Sequence, residues 1–534
     1  MKLRRKGPCS EELTFQECEL AILRQAVDEN EMVGKQKLAN SDEVKKMIQI
    51  VEAFLKKTRC ICYGGTAINN ILPKEAQFYD REIEVPDYDF YSPDPIKHCK
   101  ELADIFFRAG YADVEAKSGM HYGTFKVFVN FIPMADITEI HSDLYRSIKQ
   151  EAINIEGILY APPNFLRMNM FLELSRPKGD VSRWEKVLKR LTILNQHYPL
   201  KTSSCERVDF QRKMDKHKDK SEELYVVIRD CFIDQKVVFF GGYANSLYSR
   251  YMPEEQRRLI QSIPDFDVLS NDPEQCATTV METIQQKHGG NGKLDINLVK
   301  HDAIGEIIPE HIELKFGNET LAFIYKPIAC HNYNELKIND QVIRIATIDC
   351  MLSFYLAFLY TDHEYYSRYK ERLLCMSQFL FEVEQKNRLE QRGLLKRFSI
   401  SCYGKQPTLE SIRAEKAEKF KELVHNRNSA EWNAWFFKYS PGAAVALGKN
   451  IRGKRLSKSF SRKSKTSAVS TTSLSSPASS SVPVYNASAA VSLSRKKTQK
   501  IYKNNKSRGE PRGDSRPESK KSKTRNVLQK LLGL

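Results

Sequence analysis

The chain lacks most of the short motifs that identify an enzyme class at a glance. No G-x-x-x-x-G-K-[ST] loop and no G-x-S-x-G turn occurs in its 534 residues, which argues against a P-loop motor and an α/β-hydrolase. The eleven histidines form no HxH or HxxxH cluster and the twelve cysteines form no CxxC pair, so zinc-type spacing is missing. Long apolar runs are also scarce. The longest, Met351 to Tyr360, has ten residues, and a helical membrane span needs about 20. The N-terminal MKLRRKGPCSEELTF is basic but has no apolar core behind its charges, so no secretory signal is expected. Reduced thiols in a cytosol-like compartment follow as the expectation for the cysteines, and strand packing for Cys60 and Cys62.

What is present is enough apolar side chain, 41%, to build sizeable cores, and a net charge of +17 that is unevenly placed. Residues 443–534 hold 22 Lys and Arg against 3 Asp and Glu, whereas residues 1–442 hold 62 against 64. The bulk of the chain is therefore almost neutral, and the excess sits in a Ser/Lys/Arg-rich tail that is expected to be disordered. Such a tail attracts phosphate-rich partners in a salt-dependent way.

From Ser41 the pattern SDEVKKMIQIVEAFLKK places Val44, Ile48, Val51 and Leu55 at helical spacing. A short apolar run ending in Tyr63 follows, then Gly64-Gly65. This order, helix, strand, glycine turn, helix, returns near residue 221, and it belongs to an internal repeat. YGGTAINNILP (63–73) faces FGGYANSLYSR (240–250), PDYDFYS (86–92) faces PDFDVLS (264–270), FIPMAD (131–136) faces FIYKPIAC (323–330), and SRWEKVLKRL (182–191) faces SRYKERLLCM (367–376). The expected organisation is an N-terminal extension over 1–40, a first α/β domain over 41–199, a basic linker over 200–220, a second domain over 221–385, a helical C-terminal segment over 386–442 and the tail.

The chemistry lies in the first copy. Asp87 and Asp89, two apart in a strand, point to one face and repel unless a cation lies between them. That geometry suits Mg²⁺, a hard ion that takes carboxylate and phosphate oxygens. Upstream, Gly64 and Gly65 let a bound group pass close to the backbone, where the N–H groups at a helix start and the Thr66 hydroxyl face an anion. A phosphate cradle with a carboxylate pair about 23 residues later is the minimum for nucleotidyl transfer. A third carboxylate is expected on an adjacent strand, and Asp136 fits it, with Glu139 as the competing candidate. The repeat aligns Cys330 with Asp136, which leaves the second copy, with Asp265 and Asp267, short of one acid and degenerate. Arg183, Lys186 and Arg190 fall on one helical face and could hold a triphosphate or an RNA backbone, while Trp184 reads as core.

The glycine turn, the DxD and the separate third Asp resemble the DNA-polymerase-β-type nucleotidyltransferases. More narrowly, CYGGTAIN, PDYDFYSPD, FIPMADITEI, NFLRMNMFLELSRPKGDVSRWEKVLKRLTILNQHYP and SCYGKQPTLESIR resemble the poly(A) polymerase catalytic subunits of poxviruses and giant DNA viruses, over roughly residues 40–440. The resemblance implies two tandem α/β nucleotidyltransferase domains, the second degenerate. It implies template-independent transfer of AMP from ATP to RNA 3′ ends with two Mg²⁺ or Mn²⁺ ions. Asp87, Asp89 and Asp136 then match the metal-holding catalytic acids, and Gly64, Gly65 and Thr66 the nucleotide-binding turn, with Arg183 and Lys186 beside it. ATP and RNA are the implied partners, with no membrane, a cytoplasmic viral setting and, by analogy, a homodimer. An oligoadenylate synthase-like or protein-modifying enzyme with the same acids, and a non-catalytic RNA-binding scaffold, are the alternatives.

Overall fold

The computed structural model describes Cys9 and residues 12–442, apart from 81, 203–204, 209, 211–217, 261–265, 289–293, 339 and 362–368. Asp265, the middle of the linker and the whole basic tail lie outside the described residues.

Helix α1 (Phe15–Ala39) opens on a capping box between Thr14 and Glu17 and buries only Ala39. Helix α2 (Asp42–Thr58) buries Val44, Met47, Val51, Phe54 and Leu55 along one stripe. Ser41 is its N-cap but makes no side-chain cap bond, and Asp42 and Glu43 supply the negative charge that the first turn favours. Arg59, at φ 59°, turns the chain out of α2 into β1 (Ile61–Tyr63). Then follow α3 (Gly64–Ile71), β2 (Tyr88–Ser92), α4 (Pro95–Arg108), β3 (Val114–Ser118), β4 (Thr124–Val129), β5 (Ile132–Glu139), α5 (Ser142–Gln150), β6 (Ile153–Ile155), β7 (Ile158–Tyr160), α6 (Pro163–Leu174) and α7 (Trp184–His197). The apolar stretch 125–140 is thus a hairpin, turned at Asn130 and Phe131 with φ 48° and 66°.

The second half runs α8 (Lys218–Asp234), β8 (Val238–Phe239), α9 (Gly242–Tyr248), α10 (Glu254–Leu259), β9 (Phe266–Leu269), α11 (Pro273–His288), β10 (Ile296–His301), β11 (His311–Phe316), β12 (Glu319–Tyr325), β13 (His331–Ile338), β14 (Gln341–Ala346), α12 (Ile348–Phe358) and α13 (Lys370–Lys386). After it come β15 (Cys402–Tyr403), α14 (Leu409–Leu423), α15 (Ala430–Phe436) and β16 (Lys438–Tyr439).

Among the described residues, two mixed eight-stranded sheets result. Their orders are β16-β3-β4-β5-β2-β1-β7-β6 and β10-β11-β12-β9-β8-β14-β13-β15. Stripped of β16 and β15, they are the same seven-strand path. In each, the strand before the glycine turn pairs antiparallel with the DxD strand and parallel with a later one. Helices α6 and α12 follow those later strands, and the ring of Phe165 on α6 meets that of Tyr360, just beyond α12, at 5.2 Å. All eleven residues of α12 are buried, as expected of a helix that is apolar on every side. The segment 386–442 is shared out: β15 extends the second sheet and β16 the first.

Two expectations are corrected here. The thiols are not all reduced: Cys9–Cys18, Cys205–Cys375 and Cys330–Cys402 are disulfides, while the other six cysteines are free and buried. Spacing along the chain did not betray them, because the two long-range bridges close loops of 170 and 72 residues. Nor does Cys330 take the place of Asp136. Asp136 lies across from Asp89, and the residue across from Asp267 is Phe323; Cys330 falls beyond the end of β12 and is tied to β15. The apolar FI that opens both blocks drew them into a false register.

Candidate active site

Alternation in β2 sets the acids apart from the core. Tyr88 and Phe90 are fully buried, and the Tyr88 hydroxyl donates to Glu52 on α2 at 2.6 Å. Asp89 therefore faces the other way, and Asp87, the residue before β2 rather than in it, lies close enough for its charge to bear on Asp89. In the ladder Tyr63 lies opposite Asp89, Asp89 opposite Asp136, and Asp136 opposite Lys126. Directly opposed residues share a face, so Tyr63, Asp89, Asp136 and Lys126 form one transverse row. Glu139 is three residues further along, opposite Ser92, and stands outside that row.

The row is electrostatically strained. Burial, and then the carboxylates of Asp87 and Asp136, push Asp89 up to about 8. Burial, with Asp136 next, also raises Asp87, against the opposing pull of Lys126 and Lys186. Lys126 Nζ pairs with Asp136 Oδ2, and Asp136 Oδ1 is buried without a hydrogen-bond partner. Among the described residues, no three acidic, histidine or cysteine side chains are already gathered around one point. The donor set nonetheless fits a hard divalent cation: three carboxylates, one of them with an orphaned buried oxygen, and mutual repulsion that a cation would relieve.

The glycine turn is built against this row. Gly64 has φ +73°, and a Cβ there would lie 2.5 Å from Asp89 Oδ2. A Cβ on Gly65 would meet Tyr79 Oη at 2.5 Å and Arg190 Nη1 at 2.9 Å. Thr66 is buried and its hydroxyl donates to the carbonyl of Asp87 at 2.7 Å. That proton is committed to fixing the turn against the acids. Arg190, on α7, donates to Tyr79 Oη and covers the rings of Phe78 and Tyr79. Burial and the neighbouring arginines lower the Lys186 pKa. Arg183 precedes α7 and is ion-paired with Glu173 at 3.2 Å. Trp184 donates to the Glu173 carbonyl and packs near Phe398, a core placement.

Sequence reading missed Lys126, Tyr79 and Asn69. Asn69 Oδ1 accepts from the N–H groups of Phe78 and Tyr79 and so shapes the loop over the turn. Lys126 had one signal, a lone cation on an otherwise apolar strand; the loop residues had none.

In the second copy Gly241 crowds Asp267 in the same way. There Phe323 and Glu313 stand where the first copy has Asp136 and Lys126. The second copy therefore lacks the third acid, as expected, although the residue in its place is a buried phenylalanine.

Fold and site together define a duplicated α/β protein, each copy carrying a glycine turn packed on its DxD strand. Residues 49–180 match the family model of the poly(A) polymerase catalytic subunit. A protein of Acanthamoeba polyphaga mimivirus named "Putative poly(A) polymerase catalytic subunit" is 32% identical over 178 residues, 32% of this chain and 29% of that one. An African swine fever virus protein of the same name is 27% identical over 180 residues, 33% of this chain and 38% of that one. The chain thus spans only about a third of the length of these curated relatives. The crystal structure of the Megavirus polyadenylate synthase shares the fold, with a TM-score of 0.68 at 19% identity, over 85% of this chain and 92% of that one. The resemblance to viral poly(A) polymerase catalytic subunits is borne out. No helix among the described residues is long and apolar enough to cross a membrane.

Proposed function

We propose that the chain is a polynucleotide adenylyltransferase that adds AMP from ATP to RNA 3′ ends without a template. The observation that carries this reading is the row of Asp89 opposite Asp136, with Asp87 beside them and the Gly64-Gly65 turn packed on Asp89. Asp87, Asp89 and Asp136 would hold two divalent cations, Mg²⁺ or Mn²⁺. Such ions, when bound, acidify the acceptor hydroxyl and neutralise the leaving pyrophosphate.

The chain's own residues do the rest. Gly64 and Gly65 let Asp89, Tyr79 and Arg190 pack directly on the start of α3, beside which a triphosphate would sit. Lys186, with Arg183 nearby, supplies positive charge on that side; Arg190 holds Tyr79 over the turn. Thr66 locks Asp87 in position. In the reaction the RNA 3′-hydroxyl loses its proton to solvent as its oxygen forms a bond to the α-phosphorus, the bond to the pyrophosphate oxygen breaks in line and pyrophosphate leaves, and protein charge placement lowers the barrier. A homodimer and a cytoplasmic viral setting belong to the same reading by analogy, and light scattering tests the dimer.

The test is primer extension with labelled RNA, each NTP alone and Mg²⁺ or Mn²⁺, beside an Asp87→Ala/Asp89→Ala variant. Extension with ATP that vanishes in the variant is expected. Extension that survives would move the site elsewhere, and none under either metal would remove the reading.

A further inference from the structure

The row of acids does not end at Lys126. Lys126 lies opposite Lys117 on β3, and Lys117 opposite Lys438 on β16. Over this edge of the sheet opens a cleft of about 570 Å³, lined by Lys117, Lys126, Arg413, Lys416, Phe420 and Phe436 among others; Glu115 pairs with Lys117 and Lys438 and Asp136 with Lys126, while Arg413 and Lys416 bring positive charge from the facing helix. Arg413, Lys416 and Phe420 come from one face of α14, at i, i+3 and i+7. Lys416 Nζ donates to the carbonyl of Gly119 at 2.8 Å, which fastens the helix to the β3–β4 turn. The Ser118 hydroxyl donates to the carbonyl of Trp435, and its N–H to that of Phe437, which fasten the end of α15. Phe420, Trp432 and Phe436 pack as a trio with ring centres 4.7–5.5 Å apart, and Phe420 is 45% exposed.

Cations beside exposed aromatic faces are the chemistry that holds a single-stranded polynucleotide: ammonium and guanidinium groups follow the phosphates and rings stack on unpaired bases. Position narrows the ligand further. The glycine turn, Lys186 and Arg190 flank the acids on the β1 side, where a triphosphate would sit. The cleft lies on the opposite, β4 side, and Lys126 joins it to Asp136. An in-line transfer needs donor and acceptor on opposite sides of the reacting phosphorus. We infer that this cleft seats the 3′-terminal stretch of the acceptor RNA as a single strand, its phosphates along Lys117, Lys126, Arg413 and Lys416 and a base against Phe420 and Phe436. This rests on the adenylyltransferase reading for the identity of the acceptor, but not for the binding itself.

The experiment uses the full chain and a short RNA with one 4-thiouridine near its 3′ end. Photo-crosslinks are mapped by mass spectrometry, and steady-state KM values for RNA and ATP are measured for the wild type and for Arg413→Glu/Phe420→Ala. Expected are crosslinks to peptides containing Met120, Phe420 or Phe436, lost about tenfold in the variant, and a KM for RNA raised about tenfold with the KM for ATP unchanged. If the double variant melts early, Arg413→Gln, a change at an exposed position, carries the same test. Crosslinks elsewhere, or an unchanged KM for RNA, overturn the cleft while adenylate transfer stands. Crosslinks in the cleft without any transfer by the wild type keep the cleft and overturn the adenylyltransferase reading instead.

Discussion

Gly64 and Asp89 are so close that a single methyl group would separate them from their present geometry: the added carbon would lie 2.5 Å from the carboxylate oxygen, on a backbone at φ +73°. Gly241 and Asp267 repeat this contact in a copy that has lost the third acid. The two glycines thus separate chemistry from architecture. Gly64→Ala should lower adenylate transfer by about 100-fold, the scale of a one-ångström misplacement at a reacting centre. Gly241→Ala should instead cost about 1–3 kcal/mol of stability with transfer per folded molecule retained. Thermal melts beside single-nucleotide addition check both. Equal losses of activity without a change in melting would assign chemistry to the second copy.

The raised Asp89 fixes the sign of a pH dependence in metal-free protein. Its carboxyl titrates near 4 when unfolded and at about 8 when folded. Between those values the folded state binds the extra proton, so this group's contribution to stability is full below pH 4 and is lost as pH rises through 8. Asp89→Asn should remove that fall and melt higher than the wild type at pH 8.5. Addition of Mg²⁺ should raise the wild-type melting temperature more than that of Asp89→Asn. A variant less stable than the wild type at pH 8.5 without metal would contradict the assigned cause.

The two long-range disulfides should each be worth about 2–4 kcal/mol. Cys205→Ser/Cys375→Ser and Cys330→Ser/Cys402→Ser should melt several degrees below the wild type, and reductant should bring the wild type down toward them. Alkylation before and after reduction gives the pairing directly. Labelling of all twelve cysteines in unreduced protein would show that the bridges do not persist in solution.

Deletion of residues 443–534 removes 22 basic against 3 acidic residues. RNA affinity at low salt should fall and the salt dependence flatten. Single-nucleotide addition at saturating RNA should stay. Fluorescence anisotropy across a salt series measures the first two, and an unchanged slope would mean that the tail contacts no phosphate.

Short-range pattern carried far in the sequence. The turn at Gly64, the DxD pair and the stripe of Val44, Val51 and Leu55 were each legible because helix and strand periodicity act within a few residues. The repeat made the double sheet legible as well. Register was not: whether Cys330 or Phe323 opposes Asp267 depends on where a ladder begins, and two similar apolar dipeptides gave the wrong origin. Long-range partners were hidden for the same reason. Nothing near Ser118 announces Trp435, and nothing near Lys126 announces Arg413, since each pair meets only after the C-terminal segment has crossed back to the first sheet.

That crossing ties the order of synthesis to the completeness of the protein. Ser118 waits 317 residues for its partner Trp435. At about 5–20 residues per second, the ribosome takes roughly 15–60 s to deliver it. Throughout that interval β3 is an open edge and the basic cleft has only one wall. A nascent chain that stops short of α14 and α15 therefore carries all three acids but no finished cleft beside them, and translation through Phe436 becomes the step at which that wall is installed.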